Sequence, residues 1–193
     1  MAEPVYAIIE NFYSSDELTT IWEELDFFLD NNLLLEPHHT GSAINTSGQF
    51  IKNNKALFLD LHYATNREDS AILRLNRKIF SKEITDNLID HNPIFRYLQT
   101  CNVDTTMISY YESGSYYKPH IDVSAITILT YFFKEPKKFT GGDFKLIDFN
   151  ETISPQNNMV LIMPSCYLHQ ATDVTIQQVG YGRFCMSQFL SFR

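Results

Sequence analysis

Residues 110–122 read YYESGSYYKPHID, and this stretch decides much of what the chain predicts about fold and chemistry. At its centre, Ser113-Gly114-Ser115 has the composition of a turn between β-forming residues. Side chains on a β-strand alternate between its two faces, so His120 and Asp122 should point the same way. The stretch therefore predicts a strand that presents an imidazole and a carboxylate on one side.

Two residues farther along complete a candidate site. His169 supplies a second imidazole, and two histidines with one carboxylate form the facial ligand set of ferrous oxygenases, which leaves positions open on the metal. Arg183 follows fourteen residues after His169 and is the only Lys or Arg between His169 and Arg193. Its planar guanidinium suits bidentate pairing with a carboxylate. The pattern predicts an iron oxygenase with His120, Asp122 and His169 as metal ligands.

Each of these residues also has an ordinary structural explanation. A His-x-Asp triplet can be a surface pair, and a single histidine is often a satisfied core or edge residue. A single arginine is usually a solvated cation. The order of the residues and the strand-like runs that carry them favour the metal site.

The second half of the chain predicts closely spaced strands. Apolar and β-branched runs alternate with Gly, Pro and Asn, which favours a sandwich or jelly roll over βαβ units. The predicted strands are 103–111, 125–133, 143–148, 158–163, 169–176 and 183–192.

The first half predicts helices that support this sheet. Residues 7–9 resemble a short strand, and Ser14 with Glu17 forms a capping-box pattern ahead of an amphipathic helix. Residues 36–54 are polar and predict a loop, in which His38-His39 is a candidate lid. A second, long helix is predicted from about Arg67 to Ile89. This order predicts an α+β, mainly β, single domain over 1–193.

Composition limits the possible functions. The formal net charge of −8 argues against tight nonspecific binding to nucleic acid. No apolar run is long enough to span a bilayer, and no signal peptide is evident at the N-terminus. Cys101, Cys166 and Cys185 have no CxxC spacing, which argues against a zinc cluster and suits a reducing cytoplasm. We therefore expect a cytoplasmic protein.

The chain resembles the Fe(II)/2-oxoglutarate-dependent dioxygenases, specifically their prolyl 4-hydroxylase-like branch. The resemblance runs from about Tyr6 to the C-terminus. It rests on ordered elements: the opening 8–18, the Tyr110…His120-x-Asp122 run, the Thr127-x-Leu129-x-Tyr131 strand, Gly141-Gly142-Asp143-Phe144, Met163-Pro164-Ser165-x-x-x-His169, and Gly182-Arg183. It implies a double-stranded β-helix, a distorted jelly roll, over about 100–193, with helical support over about 1–99.

The resemblance also implies cofactors and their contacts. Fe(II), 2-oxoglutarate as co-substrate and O2 are expected, with ascorbate as a candidate reductant. Arg183 is the expected partner of the distal carboxylate of 2-oxoglutarate. Tyr110 and Tyr131 are candidates to bind the same group, although a chain with eleven tyrosines packs most of them for structural reasons. The spacing from His169 to Arg183 is long for this branch, which leaves the co-substrate contact open.

Three functions remain open at this point. The preferred one is hydroxylation of a prolyl residue in a peptide or protein, with release of succinate and CO2. The second is the same chemistry on a small molecule, free amino acid or alkylated nucleobase. The negative net charge of the chain disfavours the nucleobase. The third is a jelly-roll module that holds a metal without turnover, which has no need for Arg183. Segments 40–54, 100–104 and 134–140 are candidates for substrate selection.

Overall fold

The apolar runs of the second half form strands because β-branched and aromatic side chains pack well on a pleated surface. The computed structural model describes residues 3–41, 44–45 and 47–193. Its strands are β1 (Ala7–Ile9), β2 (Lys55–Phe58), β3 (Val103–Tyr111), β4 (Tyr117–His120), β5 (Ile126–Phe133), β6 (Phe139–Gly141), β7 (Phe144–Leu146), β8 (Glu151–Ile153), β9 (Met159–Pro164), β10 (His169–Ala171), β11 (Val174–Ile176) and β12 (Arg183–Ser191).

The helices belong to the first half of the chain. The α-helices are α1 (Ser15–Asp30), α2 (Leu59–His62), α3 (Ala71–Leu75), α4 (Lys82–His91) and α5 (Tyr97–Thr100). Single 3-10 turns are Pro37–His39, Arg67–Asp69, Asn76–Phe80, Pro93–Arg96 and Ile147–Phe149. The predicted capping box is confirmed, because the Ser14 hydroxyl accepts from the Glu17 N–H and the Glu17 carboxylate accepts from the Ser14 N–H.

The described strands pair into a large and a small antiparallel sheet, with a further two-stranded ribbon. The large sheet has the order β1-β9-β5-β12-β3-β2, the small sheet β4-β10-β7-β8, and the ribbon joins β11 to β6. One cluster of buried apolar residues lies between the helices and the outer face of the large sheet. A second cluster combines residues of the large sheet's inner face with residues of the small sheet and the ribbon. The central strands are thus buried on both faces, which explains their continuous apolar sequences.

Two predicted segments are interrupted in the structure. The predicted long helix is interrupted at Ser70, whose backbone is extended, and again at Ser81, whose carbonyl accepts from the N–H of Thr85 to begin α4. The predicted strand 169–176 divides into β10 and β11, which belong to different sheets. At the break, Gly142 donates its N–H to the Asp173 carbonyl, and Thr172 donates to Asp143. Tertiary hydrogen bonds therefore redirect the chain where local sequence suggests continuation.

The first half contributes to the large sheet as well as to the helical layer. Residues 7–9 form β1 as predicted and pair with β9. β2 pairs with β3 and was not predicted, because it directly follows the polar segment 36–54. None of the helices in the described residues is both long and apolar enough to cross a bilayer.

Candidate metal and co-substrate site

His120, Asp122 and His169 meet at the end of the small sheet. β4 and β10 are antiparallel neighbours, and their register places His169 directly opposite His120. Asp122 lies two residues beyond the end of β4 rather than on the strand. One ligand atom from each residue lies within 4.8 Å of the others. The structure therefore brings together the three residues that the sequence singled out.

Both histidines turn the same ring nitrogen toward this cluster. Nδ1 of His120 lies 2.8 Å from the Lys118 carbonyl, and Nδ1 of His169 lies 2.8 Å from the Tyr167 carbonyl. Since a carbonyl accepts, each Nδ1 donates its proton, and each Nε2 is left with a lone pair. Burial lowers the pKa of His120 to about 3, with His169 contributing next, so this imidazole is neutral at physiological pH.

Asp122 is oriented by a hydroxyl group of the large sheet. Its Oδ2 accepts a hydrogen bond of 2.7 Å from the Thr127 hydroxyl, which also lies 2.9 Å from the Ser165 hydroxyl. The two Asp122 oxygens lie 3.7 Å and 3.5 Å from Nε2 of His120 and His169. Two imidazole lone pairs and a carboxylate at these separations fit a ferrous ion, which accepts this donor set in a facial arrangement.

A pocket with an empty volume of about 480 Å³, counted to its open mouth, extends from this cluster between the two sheets. Large-sheet and small-sheet residues both contribute to its walls. The lining residues are Met107, Ser109, Tyr111, Tyr117, His120, Asp122, Leu129, Tyr131, Gly142, Phe144, His169, Ala171, Arg183, Cys185, Ser187 and Phe189.

Arg183 lines this pocket as a buried cation. Only 1% of its surface is exposed, and its guanidinium lies 4.3 Å from the Tyr111 ring centroid and 5.1 Å from that of Tyr131. The Arg183 Nε atom and the Tyr131 hydroxyl are both buried without a hydrogen-bond partner. Buried donors are normally satisfied, so two neighbouring orphans indicate room for an acceptor that a carboxylate would supply.

The absence of a side chain at Gly142 leaves room for the Arg183 side chain. The φ of Gly142, +73°, lies in the left-handed region that glycine adopts most readily. A Cβ atom there would lie 3.1 Å from Arg183 Nε and 3.0 Å from a Val174 methyl group. The Gly141-Gly142 pair that the sequence analysis used thus has a local function in accommodating the arginine.

The structure places the two sequence-predicted tyrosines differently. Tyr131 lines the pocket beside Arg183, whereas Tyr110 faces the helical layer, packs on Phe184 and accepts the Gly182 N–H through its hydroxyl. The pocket position on β3 belongs to the adjacent Tyr111, which the sequence analysis did not select. Strand alternation would have distinguished the two only if the inward face of β3 had been known.

Comparisons with known proteins agree with this site. Residues 106–191 match the family model of the 2OG-Fe(II) oxygenase superfamily. An uncharacterized PKHD-type hydroxylase of Synechocystis sp. is 22% identical over 210 residues, covering 96% of this chain. The chain spans 62% of the length of that relative.

Several solved structures share the fold at low sequence identity. A Pseudomonas putida prolyl-4-hydroxylase has a TM-score of 0.66 at 12% identity, covering 98% of this chain and 94% of its own. A Trichoplax adhaerens prolyl hydroxylase, in complex with a hypoxia inducible factor peptide fragment, has a TM-score of 0.64 at 15% identity, covering 96% and 83%. The chain therefore has a prolyl 4-hydroxylase-like fold and, over residues 106–191, resembles the 2OG-Fe(II) oxygenase superfamily, so the recognition and fold class predicted from the sequence are confirmed.

Proposed function

We propose that this protein is a 2-oxoglutarate- and oxygen-dependent iron hydroxylase that acts on a prolyl residue of a peptide or protein. The observation that carries the proposal is one pocket that holds both the His120/Asp122/His169 cluster and the unpaired donors of Arg183 and Tyr131. A protein that only bound a metal would need the cluster but not the buried cation. The match of residues 106–191 to the superfamily model supports the same conclusion.

The three clustered residues would hold Fe(II). Nε2 of His120 and of His169 would bind it, and Asp122 would bind through the oxygen that Thr127 leaves free. The Thr127 hydroxyl keeps the carboxylate plane oriented, and the two backbone carbonyls keep each imidazole in the required tautomer. With 2-oxoglutarate and dioxygen, bound iron would supply the oxidation that hydroxylates a C–H bond and yields succinate and CO2.

Arg183 and Tyr131 would bind the distal carboxylate of 2-oxoglutarate. Burial removes water from competition, so a charge-assisted hydrogen bond from the guanidinium is worth more than it would be at the surface. Between Arg183 and the cluster, the inner faces of β5 and β12 provide Leu129 and Cys185 as apolar walls. These walls would direct the co-substrate along the pocket toward the metal.

The choice of a prolyl substrate has separate support. Solved structures with this fold are described as prolyl hydroxylases, and the Trichoplax enzyme was solved with a peptide fragment. In this chain Tyr117, Leu129 and Phe189 line the pocket with apolar and aromatic surface, which suits a saturated ring. Peptide-prolyl specificity therefore forms the substrate part of the proposal.

The test measures succinate formed from 2-oxoglutarate after anaerobic Fe(II) loading and exposure to oxygen, with and without proline-containing peptides and with ascorbate present. Asp122→Ala removes the proposed carboxylate ligand, and Asp90→Ala serves as an exposed control. We expect peptide-stimulated succinate and a hydroxylated peptide mass with wild type and Asp90→Ala only.

Other outcomes would revise the proposal in defined ways. Slow succinate formation that no peptide stimulates would retain the oxygenase and redirect the search to small molecules, free amino acids or nucleobases. Binding of iron and 2-oxoglutarate without any succinate would favour a non-catalytic binding module.

A further inference from the structure

A short strap crosses the side of the site and joins the two sheets. We define the strap as residues 50–54. The Ile51 carbonyl accepts from Lys118 N–H at 2.7 Å, and Asn53 N–H donates to the Tyr116 carbonyl at 2.9 Å, so the strap lies along the free edge of β4. The chain then continues directly into β2 on the large sheet. The strap therefore fastens β4, and with it His120, to the opposite sheet.

Lys52 lies at the centre of this strap and points inward. It pairs with Tyr117 as an isolated β-bridge and is only 2% exposed. Its ammonium donates to the Thr40 carbonyl at 3.2 Å and lies 5.5 Å from the Tyr117 ring centroid. Among the residues that the structure describes, no carboxylate forms an ion pair with it. The cation is thus held by a carbonyl and an aromatic face rather than by an opposite charge.

Tyr117 connects Lys52 to the metal cluster. Its ring stacks on the His120 imidazole with centroids 3.5 Å apart and an interplanar angle of 12°. The Lys118 carbonyl fixes Nδ1 of the same imidazole. A stacked ring and a hydrogen bond together determine the plane and the rotation of His120, and Lys52 packs against the ring that sets the plane.

A buried ammonium without a counter-charge destabilises the folded protein at this position. Burial lowers the pKa of Lys52 to about 8, which reflects the loss of hydration, yet the amine remains largely protonated at neutral pH. An apolar side chain of similar length would fill the space without that desolvation. Lys134 and Lys137 also lie over aromatic rings, but both are exposed at the surface. The burial of Lys52 beside the cluster therefore favours a functional explanation.

We propose that Lys52 is a positioning residue for the metal site, which acts through Tyr117 to hold the His120 imidazole in its ligating orientation. The cation–π contact draws the Tyr117 ring toward the strap, and the stack transmits that placement to Nε2 of His120. This inference rests on the proposed function only for the identity of His120 as a metal ligand. It does not depend on the substrate or on 2-oxoglutarate.

The experiment measures Co(II) binding by the full chain under anaerobic conditions, with dissociation constants and visible d–d spectra. Lys52→Met, Tyr117→Leu and the double variant form a double-mutant cycle, and Lys137→Met is the matched control. We expect Lys52→Met to weaken Co(II) binding about threefold to tenfold and to shift the d–d bands, since supporting residues of this kind tune their ligands. The double variant should bind Co(II) no more weakly than Tyr117→Leu, because Lys52 is proposed to act on His120 only through the Tyr117 ring.

Two results would overturn the inference while leaving the proposed function intact. One is a Lys52→Met variant with wild-type affinity and spectrum, and the other is full additivity of the two changes. If Lys52→Met does not fold, Tyr117→Phe and Tyr117→Leu decide the matter, because only the first keeps the stacked ring. Equal Co(II) spectra for those two variants would reject the proposal that Lys52 acts on His120 through Tyr117. Absence of Co(II) binding by wild type would instead reject the metal site, and both proposals would fall together.

Discussion

The two faces of the large sheet are built for different purposes. Its outer face packs against the helical layer, where Phe184 of β12 and Phe28 of α1 share one apolar cluster and the buried carboxylate of Glu24 in α1 accepts from the Ser70 hydroxyl and the Ile72 N–H. On its inner face, Arg183 Nε and the Tyr131 hydroxyl are buried without partners. The outer face also has an unpaired buried donor, Gln188 Nε2, but it lies within the packed core, whereas the unpaired donors of the inner face line a pocket.

This difference separates stability from binding along single strands. An unpaired buried donor destabilises the folded protein by roughly 1–3 kcal/mol, which a ligand recovers when it provides the acceptor. The adjacent residues Tyr110 and Tyr111 show the contrast within β3. Tyr110 has its hydroxyl bond to Gly182 on the helical side, and Tyr111 lies against Arg183 in the pocket. Substitutions on the two faces should therefore change different measurable quantities.

The largest effect is expected at the metal cluster on the inner side. His169→Ala removes a proposed ligand and should weaken Fe(II) binding by more than about 100-fold, since even supporting residues of metal ligands affect affinity by 10–100-fold. Thermal unfolding of the metal-free protein should change much less. Anaerobic Fe(II) titration measures the effect, with the exposed His91→Ala as control. Wild-type Fe(II) affinity in His169→Ala would show that His169 is not a metal ligand.

A packing change in the helical layer over the outer face should act on stability alone. Phe28 is fully buried, so Phe28→Ala should lower the free energy of unfolding by about 3–5 kcal/mol. The dissociation constant for 2-oxoglutarate, corrected for the folded fraction, should remain unchanged. Urea denaturation and calorimetric titration report the two quantities. A large loss of 2-oxoglutarate affinity in the folded fraction would contradict the separation of the faces.

Arg183 should show the opposite behaviour. Arg183→Met removes the buried cation and should weaken 2-oxoglutarate binding about 10- to 100-fold, as expected for the loss of charge-assisted hydrogen bonds. The free energy of unfolding should stay the same or rise, because an unpaired buried charge is replaced by an apolar chain. Arg183→Lys keeps the charge but loses the planar bidentate donor. Its 2-oxoglutarate affinity should therefore lie between those of wild type and Arg183→Met. Unchanged affinity in Arg183→Met would sink the co-substrate assignment.

The smallest effect should distinguish neighbouring tyrosines. Tyr131→Phe should weaken 2-oxoglutarate binding about threefold to tenfold, because it deletes one hydroxyl donor. Tyr110→Phe should leave that affinity unchanged and slightly reduce thermal stability through loss of its bond to Gly182. Both variants keep the ring and its packing, so each serves as the control for the other. Weaker 2-oxoglutarate binding in Tyr110→Phe but not in Tyr131→Phe would indicate that Tyr110 contacts the co-substrate.

Much of the site could be predicted because its residues follow local rules. His120 and Asp122 are close in sequence, His169 and Arg183 follow in the order typical of the family, and the strands that carry them are rich in β-forming residues. Lys52 and Tyr111 could not be selected in this way. Lys52 lies in a polar segment that predicts a loop, and its burial arises from contacts with Thr40 in the same segment and with Tyr117, which is far away in sequence.

Residue type and spacing by themselves determined the candidate ligands, the strand-rich second half and the capped first helix, because donor chemistry, period-two alternation and end capping are encoded within a few neighbouring residues. Tertiary structure alone decided that β12 lies between β3 and β5, that Tyr111 rather than Tyr110 faces Arg183, and that Lys52 is enclosed beside His120. These features depend on sheet order and on which face becomes the interior. Those choices follow from packing the whole chain, since either face of a strand buried on both sides carries a suitable sequence.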